Sequence, residues 1–277
     1  MVIKISVLIA NYNNGKYFAD CYNSLLSQTY TNWEVIIVDD ASTDDSVEVI
    51  KNIIKNDDRF KLYHNQENKG CGFTKRECMK YAQGDICAYL DPDDALYSTA
   101  LETCAFEFAK NTNIVALYSQ MMLCDENLTP DKVFASTKQI YNSRYFFNCP
   151  TQFAHFFVFK KETYFKTSGI NANLKSAVDQ DLYLKILEHG GVTFVKEPLY
   201  LYRLHSNGIS QHSSKQTAKE SFAKVIHETM KRRGIRKINN RTVPDHYTNA
   251  QEIYQLLNYQ TNKVHRFINK LKLTLNL

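Results

Sequence analysis

The sequence predicts an α/β protein, a mostly parallel central sheet flanked by helices, with a C-terminal helical tail. Three observations carry that prediction. Apolar β-rich runs alternate with amphipathic helical stretches over roughly the first hundred residues. Acidic residues cluster at the ends of two of those runs. Beyond about residue 212 the strand signals give way to helical ones. Repeated β-α-β order favours parallel strands with helices on both faces, and ligands of such sheets bind beyond the carboxyl ends of the strands.

Ile3–Ile9 reads as the first strand, Lys16–Gln28 as an amphipathic helix, Trp33–Asp40 as a second strand and Thr43–Asn56 as a second helix. Ser42, Thr43, Asp44 and Asp45 supply cap candidates and early acidic residues that suit a helix start. A short strand at Lys61–His64 precedes the loop Asn65–Gly72, and a helix over Phe73–Ala82 leads into the strand Asp85–Leu90. A helix at Ser98–Lys110, a strand at Ile114–Ser119, a loop-rich Asp125–Pro150, an aromatic strand at Phe153–Phe159 and a helix at Asp179–His189 follow. Val192–Val195 and Pro198–Arg203 resume strand character. After Ser206, Asn207 and Gly208 come helices at Lys215–Arg233, Thr248–Tyr259 and Lys263–Leu273. The expected division is a main domain at 1–212, with halves of about 1–120 and 121–212, and a helical extension at 213–277.

A chain of 277 residues, 44% hydrophobic and 23% charged, can bury a full core. It has no apolar run long enough to cross a membrane. The opening MVIKISVLIANYNN lacks a small-residue cleavage site, so no secretory signal is expected. The net charge of +5 would suit an anionic donor or membrane surface, but solvated surface lysines are the simpler cause; no nucleic-acid partner is expected. Seven scattered cysteines with no CxxC pair predict reduced thiols packed as small apolar groups in a cytoplasmic protein, and disfavour zinc.

The chemistry concentrates in a few segments. In YLDPDDAL, Asp91, Asp93 and Asp94 repel one another unless a cation or hydrogen bonds hold them. A hard divalent ion such as Mg²⁺ or Mn²⁺ is one solution, and an acidic helix start is the other. In VIIVDDASTDDSV, Asp39 and Asp40 end an apolar strand where a carboxylate could accept a base N–H. Tyr12, after the first strand, could stack on a base or be a core tyrosine. The loop NKGCGFTKRE gathers Gly70, Gly72, Lys75 and Arg76, where glycines permit close approach and the cations could meet a diphosphate.

These segments occur together with SAVDQDLYLKILEHGG and EPLYLYRLHSNGIS, and in that order the chain resembles the family 2 glycosyltransferases over roughly residues 3–210. The resemblance implies a GT-A fold and inverting transfer of a sugar from a nucleoside-diphosphate donor, usually with Mn²⁺ or Mg²⁺. It places Asp40 at the uracil-contacting carboxylate with Tyr12 beside the base. It makes Asp91 and Asp93 the DxD signature, with Asp94 a metal ligand in some relatives. It makes Asp179 the base that deprotonates the acceptor hydroxyl, and Asp181 a supporting residue. His205 falls in the closing segment, where it could approach the metal or diphosphate. The family usually has Glu where this chain has Val178, and Ala-Arg-Asn where it has Thr74, Lys75 and Arg76, so either cation could meet the phosphates. Ala10 stands where some relatives carry threonine.

The implied function is transfer from a UDP-sugar to a hydroxyl of a glycan or lipid-linked acceptor in cell-surface polysaccharide synthesis. A sugar nucleotidyltransferase would want a Gly-rich, Lys-bearing loop after the first strand, which Asn11 to Gly15 do not provide. A nucleotide-sugar-binding protein without transfer is the other alternative, and Asp91, Asp93 and Asp179 speak against it. In the tail, Val264, Phe267, Ile268 and Leu271 at helical spacing among Lys263, Arg266, Lys270 and Lys272 suit either a membrane surface or packing. Packing against the main domain, or against a second subunit in a homodimer, is the commoner fate of such a stripe.

Overall fold

The computed structural model describes residues 2–205 and 215–275. Its first half is the expected alternation: β1 (Ile5–Asn11), α1 (Phe18–Leu26), β2 (Trp33–Asp39), α2 (Ser46–Ile54), β3 (Phe60–His64), α3 (Cys71–Tyr81) and β4 (Ile86–Tyr89). β1 pairs in parallel with β2 and β4, and β2 with β3. β1 and β2 are buried almost throughout, as continuous apolar runs are when helices cover both faces. Side-chain alternation divides them between two cores. Ile5, Val7, Ile9, Val35 and Ile37 pack with α1 and α2 residues Phe18, Leu25 and Ile50. Leu8, Ile36 and Val38 pack with Cys78 and Met79 of α3.

The second half comprises β5 (Ala95–Leu96), α4 (Ala100–Lys110), β6 (Ile114–Cys124), β7 (Pro130–Val133), β8 (Phe157–Lys160), α5 (Lys161–Lys166), α6 (Val178–Ile186) and β9 (Gly191–Arg203). The sheet runs β3-β2-β1-β4-β8-β6-β9-β5, with β7 against β6. β8 is antiparallel to β4 and β6, and β9 is parallel to β6.

Several expectations are corrected here. Part of Asp125–Pro150 is β7, an exposed strand whose alternation is too polar to read. The aromatic strand is confined to Phe157–Lys160, because Phe153 and Phe156 sit in the cores without ladder pairing. Val192–Val195 and Pro198–Arg203 form one strand, whose ladder to β6 shifts register around Gln120 and so absorbs Pro198. The helix expected from Thr43 starts at Ser46, because Thr43 and Asp44 donate their amides to the Asn13 side chain.

The tail contains α7 (Lys215–Arg232), β10 (Lys237–Ile238), β11 (Arg241–Thr242), α8 (Ala250–Leu257) and α9 (Lys263–Leu275). The hairpin was not expected; Asn239 and Asn240, both at positive φ, close it as such two-residue turns require. α7 and α8 build a third core that includes Phe147 from the main domain. Glu188 binds Arg232 and Arg233, and Arg233 also donates to the Phe146 carbonyl, so the first two tail helices are tied to the main domain. The Ser206 to Gly208 turn and the boundary at 212 lie outside the described residues. α9 behaves otherwise. None of its residues is buried, and Val264, Phe267, Ile268, Leu271 and Leu275 are all exposed, so its apolar stripe does not pack on the main domain. Among the described residues no helix is long and apolar enough to cross a membrane.

Candidate active site

Both acidic clusters lie where parallel strands end, and they are held differently. Asp39 ends β2, and its carboxylate accepts from the Asn11 amide at 2.8 Å and from the Ser42 backbone N–H at 2.9 Å. Asp40 takes the Asn65 side chain at 2.7 Å, the Lys69 N–H at 2.9 Å and the Gly70 N–H at 2.7 Å. All of these donors are neutral. They pin the loop after β3 over the end of the sheet and leave Asp40 roughly one of a carboxylate's four acceptor sites. Tyr12, one residue past β1, is 44% exposed rather than a core tyrosine.

The other cluster follows β4. The Asp94 N–H donates to the Asp91 carbonyl, closing a tight turn through Pro92. Asp94 points inward. It is buried, and its two oxygens accept the Tyr200 hydroxyl at 2.7 Å and the Arg203 N–H at 2.8 Å. Burial, then Asp93 and Asp91, push its carboxyl well above the usual range. With both oxygens occupied by hydrogen bonds, Asp94 fixes the turn on β9. Arg203 reinforces the turn by donating to the Asp93 carbonyl and to Asp20. Asp93 meets His205: Nε2 lies 2.8 Å from its Oδ2, while Nδ1 is 3.1 Å from the Tyr17 hydroxyl. Burial and the Asp91 charge raise the Asp93 carboxyl, against the opposing effect of His205.

Asp91 faces the opposite half of the protein. Lys75, on α3, is 3% exposed and places Nζ 3.2 Å from Asp91 Oδ1 and 2.8 Å from Asp179 Oδ1. Burial disfavours its charge, but the two carboxylates more than compensate and raise it well above 10.5. The same contacts act on Asp179. Its burial pushes the carboxyl up, Lys75 and His155 pull it down further, and the net direction is down, so the group is a carboxylate near neutral pH. Asp179 sits in the first turn of α6, after Ala177 at positive φ. Val178, the departure from the family pattern, is simply part of the core beneath α6.

His155 is the residue that sequence reasoning missed. Its Nε2 is 3.9 Å from both Asp91 Oδ2 and Asp179 Oδ2, and its ring stacks on Tyr200 at 5.0 Å. A lone histidine inside an aromatic run carries no spacing signal; only the convergence of β4, β9 and α6 reveals it. Asp181 binds Lys185 and the Asn171 N–H, a structural role as expected. Arg76 is not drawn into the cluster: it is exposed and donates to the Ile170 carbonyl. Gly72 is explained by packing, because a Cβ there would meet the Leu174 and Asn171 carbonyls at 2.6 and 2.7 Å. The cysteines are free and mostly buried, and burial pushes thiols such as Cys71 up to about 11, which favours the protonated thiol near neutral pH.

Among the described residues no three acidic, histidine or cysteine side chains already form a metal shell. Asp91 and Asp93 are partly exposed at 29% and 17% and carry mutually repelling charge. Hard oxygens from two carboxylates, with an imidazole adjacent, would fit Mg²⁺ or Mn²⁺, which typically keeps water and phosphate among its ligands.

Comparison with known proteins agrees with this architecture. Residues 6–166 match the model of "Glycosyl transferase family 2". The chain is 32% identical over 237 residues to the chondroitin synthase of Escherichia coli, an alignment covering 84% of this chain and 33% of that protein. It thus spans about a third of that relative's length. The structure of S. aureus TarS in complex with UDP-GlcNAc superposes with a TM-score of 0.70 at 19% identity, covering 94% of this chain and 72% of that one. The mannosyltransferase PcManGT from Pyrobaculum calidifontis, in complex with GDP-Man and Mn²⁺, gives 0.61 at 14% identity, covering 99% and 81%. The chain belongs to the family 2 glycosyltransferases and has the GT-A fold.

Proposed function

We propose that this family 2 glycosyltransferase moves a sugar from a UDP-sugar to a hydroxyl of a growing glycan or lipid-linked acceptor, with inversion and with Mn²⁺ or Mg²⁺, in polysaccharide synthesis. The observation that carries the reading is the meeting of Asp91 and Asp179 on one Lys75 ammonium, which joins the donor-side turn to the candidate base. A relative that synthesises chondroitin supports the polysaccharide context, and the Mn²⁺ and GDP-Man in PcManGT support the donor class.

In this reading Tyr12 stacks on the base and the spare acceptor site of Asp40 takes its imide N–H. Asp91 and Asp93 hold the metal with His205 beside them; when bound, the metal offsets charge on the departing diphosphate. Asp179, kept ionised by Lys75 and His155, accepts the proton of the acceptor hydroxyl as its oxygen attacks the anomeric carbon and the nucleoside diphosphate leaves. Lys75 is a positioning residue that sets the spacing of Asp91 and Asp179.

The experiment is thermal stabilisation by UDP and GDP with and without Mn²⁺, followed by donor-hydrolysis assays, since ligand binding raises the melting point by mass action. UDP with Mn²⁺ should stabilise most. The absence of both stabilisation and hydrolysis for UDP-sugars and GDP-sugars would remove the reading.

A further inference from the structure

Away from the carboxylate cluster lies a groove of about 970 Å³, walled by residues of the 135–152 segment, the β10–β11 hairpin and α9. Lys138 and Arg144 enter it from the first wall, Lys237 from the hairpin, and Arg266, Lys270 and Lys272 from α9. No Asp or Glu among the described residues lines it. The whole chain is nearly balanced, with 34 Lys and Arg against 29 Asp and Glu. Six cations without a counter-charge are about twice the share that the chain's composition would give a lining of this size. Unpaired cations around a concave surface raise the local concentration of anions.

The lining is suited to sugars rather than acyl chains. Tyr141 and Tyr145 line it, with Lys272 Nζ 5.2 Å and the Arg144 guanidinium 5.6 Å from their ring centroids. Phenol rings offer an apolar face and a polar tip to the same ligand. The exposed apolar residues of α9, Phe267 and Leu271 among them, are not part of the lining. The groove wall is linked along the chain to the candidate base. Gln152 lines it, and His155, three residues on, contacts Asp91 and Asp179; three residues span at most about 10 Å. Asn148 in the same wall segment bonds Gln180, the neighbour of Asp179, at 3.1 Å.

We propose that this groove holds an anionic glycan, the carboxylate- or phosphate-bearing part of the acceptor behind the hydroxyl that receives the sugar. The assignment rests on the transfer reading for its role as an acceptor site, but binding in the groove is measurable without turnover.

The test is fluorescence polarisation with labelled oligogalacturonide, a phosphomannan fragment and a neutral malto-oligosaccharide, using the wild-type chain and the variant Arg266→Gln/Lys270→Gln/Lys272→Gln. The substituted side chains are at least partly exposed, so the fold should survive, which the melting point checks. At least one anionic probe should bind, more weakly as salt rises, and at least about tenfold more weakly in the triple variant. The tighter anionic probe identifies the anion. Equal binding of the neutral probe, or unchanged affinity in the variant, overturns the proposal. So does binding of phosphatidylglycerol vesicles, lost in the variant, without binding of any oligosaccharide; that result would give the groove to a lipid surface. Stabilisation by UDP with Mn²⁺, read on the same samples, reports the donor site alone and separates failure of the groove from failure of the transferase reading.

Discussion

Asp39 and Asp40 and the group Asp91, Asp93 and Asp94 look alike in sequence, acidic runs that end apolar parallel strands, yet the fold treats them in opposite ways. The first pair is largely satisfied by neutral donors, namely amides and a serine hydroxyl, with one acceptor site left on Asp40. Most of its hydrogen bonds hold loops. In the second group only Asp94 is satisfied in this manner. Asp91 and Asp93 repel each other and lean on Lys75 and His205. A saturated carboxylate stabilises; a crowded one is available for a cation. The difference separates scaffold from chemistry where residue type and strand-end position do not.

The largest effect should come from the base that the second group works with. Asp179→Asn should lower transfer by about 10²–10⁴-fold, the usual contribution of general-base catalysis, while UDP binding measured by calorimetry stays intact. Loss of binding in parallel would show that Asp179 belongs to the donor site instead.

The next test sets the clusters against each other. Asp93→Asn should weaken Mn²⁺-dependent UDP binding by more than about tenfold, at least as much as loss of an outer-shell partner does. Its melting temperature should hold or rise, because repulsion is relieved. Asp40→Ala should instead lower stability by on the order of 1 kcal/mol, since three partly buried donors lose their acceptor. Denaturant titrations in which both variants lose equal stability would erase the distinction.

Acidification gives the smallest and most graded contrast. Asp93 is raised, so Mn²⁺-dependent UDP binding should decline first as pH falls. Glu34 represents the satisfied class. Burial raises it, but Lys4, Ser6 and the Gln83 N–H bring it below its ordinary 4.5. With its folded value below the unfolded one, its contribution is complete above about 4.5 and disappears as pH drops through the folded value. Melting curves and binding isotherms across that range should therefore part, with function lost at the higher pH; coincident curves would contradict the assignment.

The donor half was legible because its signals are local. β1, β2 and β4 are short apolar runs with both faces covered, and the acidic residues follow them directly. The region from Asp125 to His155 was not. β7 has no apolar face, and the value of His155 lies in neighbours that come from Asp91 and Asp179. The α9 stripe illustrates the same limit: its periodicity fixed a helix, while its lack of a covering partner had to be seen.

By itself the sequence determined the α/β alternation, the family's motif order and which carboxylates stand at strand ends, because periodicity and motif spacing are properties of neighbouring residues. The tertiary structure alone decided which carboxylates are satisfied. The partners of Asp94, Asp93 and Asp179 are Tyr200, His205 and Lys75, separated from them by 106, 112 and 104 positions. Charge is free to be chemical only where packing has left it without a neutral donor, and packing over such separations is set by the closing of β9 and α6 onto the end of the sheet.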